Sequence, residues 1–173
     1  MTAHAKPIKR PALPSGKLEM SYLLAWMGED GLVDATELAR LTQRYSAGAS
    51  AQHPLIRLAS AGLTDARNGG PLDIEVLTKW LAERCHLPYL RIDPLKVDVA
   101  RVADVMSINY AERRRALPVL VGSHEITVAT SEPLDRSWVP EIEAHTRKTI
   151  KLVVSSPEEL QRFTTEFYSL SRS

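Results

Sequence analysis

The sequence predicts an α+β fold in which an N-terminal helical subdomain precedes a small β-β-α-β-α sandwich. Two patterns carry this prediction. Apolar residues between Leu18 and Arg84 recur at helical spacing. Further along, two apolar runs at 116–121 and 126–129 flank the short turn 122–125, as the strands of a β-hairpin do. Helices should therefore come first, followed by a layer that buries one sheet face.

The chain divides into four segments. Residues 1–17 contain three prolines and four cations, a composition that predicts a flexible basic arm. Residues 18–86 form the helical subdomain, residues 87–170 form the α+β domain, and residues 171–173 begin a linker. Because no long flexible stretch separates the two domains, we expect them to pack together.

Four helices are expected in the helical subdomain. Apolar residues between 20 and 27 define the first helix, which ends in a turn at Gly31. Start signals precede the other three helices, at Asp34, Pro54 and Asp73. Gly62 ends the third helix. The two helical halves weakly repeat each other, since each consists of a helix, a glycine turn and a longer capped helix.

The α+β domain should begin with one helical stretch from Val99 to Arg114 and continue into the hairpin. Ser137 is expected to cap a helix running toward His145, and a third strand should cover Ile150–Val154.

The last helix has the clearest signature. Ser156 is its expected N-cap, and Glu159 is expected to reach back to the cap amide in a capping box. Four apolar residues fall on one face of this helix, namely Leu160, Phe163, Phe167 and Leu170.

Bulk composition excludes several classes of protein. The net charge of +1 gives no global attraction to nucleic acid. Cys85 is the only cysteine, so an internal disulfide is impossible and a reducing compartment is expected. The sequence contains neither an apolar run long enough to cross a bilayer nor a secretion signal. We therefore expect a cytoplasmic protein.

The sequence offers no catalytic equipment. It lacks the phosphate-binding pattern GxxxxGK[ST] and the dinucleotide fingerprint GxGxxG, and its histidines lack metal-ligand spacing. We expect no enzymatic activity, no cofactor and no metal site. The cluster Arg113, Arg114 and Arg115 could contact a phosphate or an acidic partner, although a solvated face is favoured. We expect Trp26 and Trp138 to lie in the core. If either is exposed, it is a candidate anchor for a partner protein.

Three stretches resemble the N-terminal domain of the type II secretion and type IV pilus-assembly ATPases, the E component of the secretion system. They are LPYLRIDPLKVD at 87–98, ALPV at 116–119 with EITVATSEPLD at 125–135, and VVSSPEELQRFTTEFY at 153–168. The resemblance implies a domain that precedes a hexameric ATPase motor and docks it to the cytoplasmic part of an inner-membrane platform protein, the L component. The chain itself would then be peripheral to the inner membrane through that partner. It would be either an excised N-terminal portion or a stand-alone adaptor.

A branch of this family binds cyclic di-GMP through two copies of a motif of the form RLGxxLVxxGLVxxxxLxxALxxQ. Alignment on Gly31 places Tyr22 at the arginine and Tyr45 at the glutamine of the first copy. A second copy begins at Arg57 and Leu58, and Arg84 replaces its glutamine. Guanine stacking and phosphate contact need the missing arginine and glycine. The resemblance therefore favours a docking domain, with a cyclic di-GMP receptor using Arg57, Leu58 and Arg84 as the alternative.

Overall fold

A computed structural model of the chain describes residues 12–48 and 50–172. The first half of these residues folds into a helical subdomain. Its helices are α1 (Met20–Glu29), α2 (Ala35–Arg44), α3 (Pro54–Ala59) and α4 (Ile74–Arg84). Asp34 and Asp73 cap α2 and α4 by accepting backbone N–H bonds, as the sequence predicts. Gly31 and Gly62 adopt φ values of 73° and 66°, which glycine tolerates without strain.

The second half contains four helices and one three-stranded sheet. Its helices are α5 (Val99–Val105), α6 (Ile108–Arg114), α7 (Val139–Thr146) and α8 (Pro157–Ser171), preceded by a 3-10 turn at Pro94–Lys96. Its strands are β1 (Ala116–Val121), β2 (Glu125–Thr130) and β3 (Thr149–Val154). The α+β fold class predicted from the sequence is confirmed.

The sheet has the order β1-β2-β3, with an antiparallel hairpin and a parallel crossover. The hairpin closes through a bond from Gly122 N to Glu125 O of 2.8 Å, and α7 connects β2 to the parallel β3. Residues 88–90 pair in parallel with the end of β3, through Leu90 N to Val154 O and Val154 N to Pro88 O. The sequence does not predict this short pairing, because three residues give no alternating pattern of their own.

Two predictions about the α+β helices need correction. The stretch from Val99 to Arg114 is two helices, because Met106 is extended and the Ser107 hydroxyl accepts the Tyr110 N–H and starts α6. Ser137 does not cap α7, since its hydroxyl donates to the Asp135 carboxylate at 2.8 Å. The N-cap of α7 is Trp138, without a side-chain bond.

The start of α8 follows the prediction only in part. Ser156 is its N-cap, and the hydroxyl accepts the Glu159 N–H at 3.1 Å. The Glu159 carboxylate instead accepts the Ile92 N–H at 3.2 Å, so no capping box is completed. Three of the four apolar residues on the predicted face are buried, whereas Leu170 is 54% exposed.

Both predicted chain ends are more ordered than expected where the structure describes them. Residues 1–11 of the predicted arm lie outside the described residues. The residues that follow them contact the α+β domain, because Gly16 N donates to Leu134 O at 3.0 Å. At the other end, α8 continues through Ser171, so the predicted linker does not start there.

Two apolar cores support these layers. One lies among α1 to α4, and the other lies between the sheet and helices α5 to α8. Leu134, from the α+β half, packs in the helical core and is 5% exposed. Among the described residues, no helix is long and apolar enough to cross a membrane.

Replacing Ser156 with alanine should lower the free energy of unfolding by about 1 kcal/mol, because the Glu159 N–H would lose its only cap. Urea denaturation followed by circular dichroism measures this loss. Ser169→Ala, at an exposed position of the same helix, is the matched control and should change the free energy by less than about 0.5 kcal/mol. Equal effects of the two substitutions would contradict the assignment of the cap.

Candidate functional site

Arg84 joins the C-terminal end of α4 to the C-terminal end of α1. Its guanidinium donates to the Asp30 carboxylate at 2.7 Å and pairs with Glu29. It also lies over the ring of Trp26, with 5.4 Å from Cζ to the ring centroid. Asp30 accepts a second bond of 2.8 Å from Trp80 Nε1. The predicted contact residue Arg84 is therefore held mainly by this chain's own carboxylates and aromatic rings.

A cavity of about 450 Å³ opens beside this arginine. The aromatic and ionisable residues of its lining are Tyr22, Trp26, Glu29, Arg84 and His86. The rings of Tyr22 and Trp26 lie 6.1 Å apart at an interplanar angle of 31°. Two aromatic rings and a guanidinium are groups that stack on planar ligands and bind anions. The cavity has a suitable lining for such a ligand, but the guanidinium donors already bind carboxylates.

The other predicted ligand contacts lie outside the lining of this cavity. Leu58 is fully buried in the helical core. Arg57 lies over the ring of Tyr45 at 4.8 Å, and its carbonyl accepts the Tyr45 hydroxyl at 3.2 Å. Arg44 lies over the same ring at 5.5 Å. The Tyr45 ring thus forms a second cation-aromatic cluster.

The structure also gives a different register for the helical repeat. Gly31 and Gly62 share a positive φ and are each followed by a buried leucine, so they are equivalent positions. Tyr22 precedes Gly31 by the same number of residues as His53 precedes Gly62. His53, rather than Arg57, is therefore the counterpart of Tyr22. The sequence signal that could have found this register is the repeated Gly-Leu pair.

His53 is buried where the helical subdomain meets the α+β domain. Its Nε2 lies 2.7 Å from Ser131 O, and its Nδ1 accepts the Leu55 N–H at 3.1 Å. These partners assign the proton to Nε2 of a neutral ring. Burial lowers the pKa of His53 to about 4. At neutral pH, the His53 imidazole therefore links the two domains through its hydrogen bond to Ser131 O.

Two of the three clustered arginines are engaged within the chain. Arg115 donates to Ala51 O at 3.0 Å and lies 3.7 Å from the buried Glu132 carboxylate. Arg114 pairs with Asp135 at 3.4 Å. Arg113 is exposed and lies over the Tyr110 ring at 5.5 Å. Arg113 is therefore the exposed member of the predicted cluster, and Arg114 and Arg115 are only partly exposed.

The two tryptophans predicted as possible anchors are core residues. Trp138 is 1% exposed, and its indole N–H donates to Asp135 O at 3.2 Å. Trp26 is 8% exposed and contacts the cavity described above. Neither offers the exposed ring that a surface hot spot needs.

In the described part of the chain, histidine, cysteine and acidic side chains are the potential metal ligands, and Cys85 carries the single thiol. No cluster of three histidine, cysteine or acidic residues able to hold a metal occurs there. Burial raises the pKa of Cys85 to about 11, so this side chain is a neutral thiol at pH 7.

Fold and sequence together define the class of this protein as the N-terminal domains of secretion and pilus-assembly ATPases. The MshEN domain family model matches residues 85–173, and the chain belongs to this family. It is 42% identical over 123 residues to the type IV pilus assembly ATPase TfpB of Acinetobacter baylyi, a match that covers 70% of this chain and 21% of the relative. The matched region is thus about a fifth of that curated relative.

Two solved structures share the fold at low sequence identity. One is a structure of MshE with cdg, with a TM-score of 0.61 and 20% identity, covering 84% of this chain and 98% of that chain. The other is the N-terminal domain of XpsE, with a TM-score of 0.54 and 17% identity, covering 87% and 96% respectively. The family resemblance read from the sequence is confirmed.

Removing the Asp30 carboxylate should destabilise the fold strongly, because the buried Arg84 and Trp80 side chains would lose their shared partner. We expect Asp30→Ala to cost about 3 kcal/mol in the free energy of unfolding. Glu29→Ala is the matched control and should cost less than about 1 kcal/mol, because that carboxylate side chain is 60% exposed. Urea denaturation of both variants measures the difference, and equal costs would contradict the dominance of Asp30.

Acid should weaken the fold through His53. Its pKa is about 4 when folded, below its ordinary value of 6.5, so the stability it contributes is present above pH 6.5 and is lost as the pH falls toward 4. Between pH 7 and pH 5, the free energy of unfolding of His53→Gln should fall by about 2 kcal/mol less than that of the unaltered protein. Burial raises the pKa of the nearby Glu132, so this carboxyl increases the stability of the fold as the pH falls. This effect is present in both proteins and does not distinguish them. Parallel stability curves for the two proteins would contradict this role.

Proposed function

We propose that this chain is a non-catalytic regulatory and docking domain of a type IV pilus-assembly or type II secretion ATPase. The observation that carries the proposal is the 42% identity to the TfpB ATPase over 123 residues. The sequence lacks the glycine-rich loop with lysine that cradles phosphates in such motors. The domain then acts through surfaces that contact other parts of the machinery.

The proposed partners are an ATPase motor and the cytoplasmic part of an inner-membrane platform protein. The domain would work in the cytoplasm, next to the inner membrane. Arg113 is the proposed contact on this chain, because it is exposed on α6 while Arg114 and Arg115 bind Asp135, Ala51 and Glu132 internally. An exposed guanidinium over a tyrosine ring is a group enriched in protein interfaces.

The test is calorimetric titration of this chain with the purified cytoplasmic domain of the platform protein from the same system. We expect association in the micromolar range, and Arg113→Glu should weaken it at least about tenfold, as loss of a hot-spot arginine does. Arg136→Glu removes another exposed cation and is the matched control. Absence of association at micromolar concentrations would overturn the docking proposal.

A second candidate function is binding of cyclic di-GMP at the cavity beside Trp26 and Arg84. Two observations favour it: the shared fold with MshE, solved with cdg, and the aromatic and guanidinium lining of the cavity. A ligand phosphate would replace Glu29, the more exposed of the two carboxylates on Arg84. This exchange costs an existing ion pair, so the affinity should be lower than that of an intact arginine site.

Titration with cyclic di-GMP separates the two candidate functions. If the nucleotide binds at this cavity, Glu29→Gln should tighten binding, because it removes the competing charge from Arg84. Arg57→Ala should leave the affinity unchanged, since Arg57 lies against Tyr45 and outside the cavity lining. Absence of heat and of thermal stabilisation at ligand excess would reject the receptor function and leave docking.

A further inference from the structure

A basic surface lies at the hairpin end of the sheet. The hairpin turn and the turn between α7 and β3 are neighbours there, because Thr149 N donates to His124 O at 3.0 Å. We define the basic corner as Arg147, Lys148 and Lys151, which fall within the α7–β3 turn and the first part of β3.

Within residues 12–48 and 50–172, the cations of the basic corner lack partners of opposite charge. No carboxylate lies within 4.0 Å of any of the three in the described part of the chain, and residues 145–151 contain no acidic residue. Arg84 and Arg115, in contrast, contact internal carboxylates. Cations near the C-terminus of α7 offset its helix dipole, which accounts for Arg147 and Lys148. Lys151 lies in a strand, so the dipole does not explain it.

The backbone displays these cations on fixed positions. Arg147 is a left-handed C-cap with φ of 59°, and its N–H donates to Glu143 O at 2.8 Å. The Glu143 carboxylate also accepts the Ile150 N–H at 2.9 Å. Lys151 lies in register with Thr127 across β2 and β3. Little backbone entropy is lost when such residues meet a surface.

An exposed apolar side chain lies on the same sheet face. Thr127 is also in register with Leu120 of β1, so Leu120, Thr127 and Lys151 form one cross-strand row. Leu120 is 62% exposed. The row therefore carries an accessible leucine at one side of the sheet and a cation at the other.

A shallow depression of about 520 Å³ adjoins the corner. Its charged and titratable lining is Arg101, Asp104, His145 and Lys148. Arg101 is already paired with Asp98 and bonded to Val121 O, so Lys148 supplies the free positive charge. The cations are spread along the α7–β3 turn and the first part of β3 rather than converging on one point. Such an array suits many weakly held phosphates better than one tightly held anion.

We propose that the basic corner binds the phosphodiester headgroups of an anionic lipid surface. Arg147 and Lys148 contact headgroup phosphates, Lys151 adds charge beside them, and Leu120 enters the interfacial layer. Each cation near an anionic membrane raises partitioning about fivefold, so three raise it about a hundredfold. This inference rests on the surface chemistry alone and is independent of the proposed docking and nucleotide functions.

The test is flotation of the chain with vesicles of phosphatidylglycerol and phosphatidylcholine in equal parts, compared with pure phosphatidylcholine. We expect flotation only with the anionic vesicles and loss of it at high salt. The triple variant Arg147→Glu, Lys148→Glu, Lys151→Glu should lose binding at least about tenfold. Leu120→Ser should weaken it a few-fold, as loss of one inserted apolar side chain does.

The matched control reverses three exposed cations elsewhere, Lys79, Arg136 and Arg162, with the same change in net charge. It should retain at least half of the vesicle binding, and circular dichroism verifies that both triple variants fold. Equal losses in the two triple variants would overturn the proposal, because the attraction would then be a net-charge effect. Absence of flotation by the unaltered chain, or full competition by soluble glycerol phosphate, would also overturn it. Titration with the platform protein or with cyclic di-GMP tests the other functions separately.

Discussion

The architecture depends on a short buried segment that leaves β2, residues 131–134. Within it, Ser131 O contacts the imidazole of His53, and the Glu132 carboxylate accepts the Leu18 N–H at 3.2 Å. Leu134 places its side chain in the helical core and accepts the Gly16 N–H. This strand end thus binds His53, the backbone at 16–18 and the helical core. Because buried polar groups are costly when unpaired, these contacts specify how the two halves meet.

The cations described above fall into two groups, those that bind other groups of this chain and those that stay exposed. Arg84 and Arg115 bind carboxylates or carbonyls inside the structure, and their charges serve assembly of the fold. Arg113 and the basic corner keep their charges available to other molecules. A net charge of +1 hides this division, because internal pairs and free cations count equally in a sum.

Local signals made most elements predictable from sequence, whereas side-chain partners across the fold were not. The caps at Asp34, Asp73 and Ser156 act within three residues, so sequence spacing identifies them. Glu159 has an equally good local pattern, but the distant Ile92 amide competes for its carboxylate. A degenerate motif predicts Arg84 as a ligand contact, but only the structure places Asp30 and Glu29 against it.

The connection between the two domains pairs with the end of β3. Residues 88–90 bond to Val154 in both directions, and the Ser155 hydroxyl donates to Leu90 O at 2.6 Å. A load applied to the helical subdomain therefore reaches β3 through three hydrogen bonds as well as through the covalent chain.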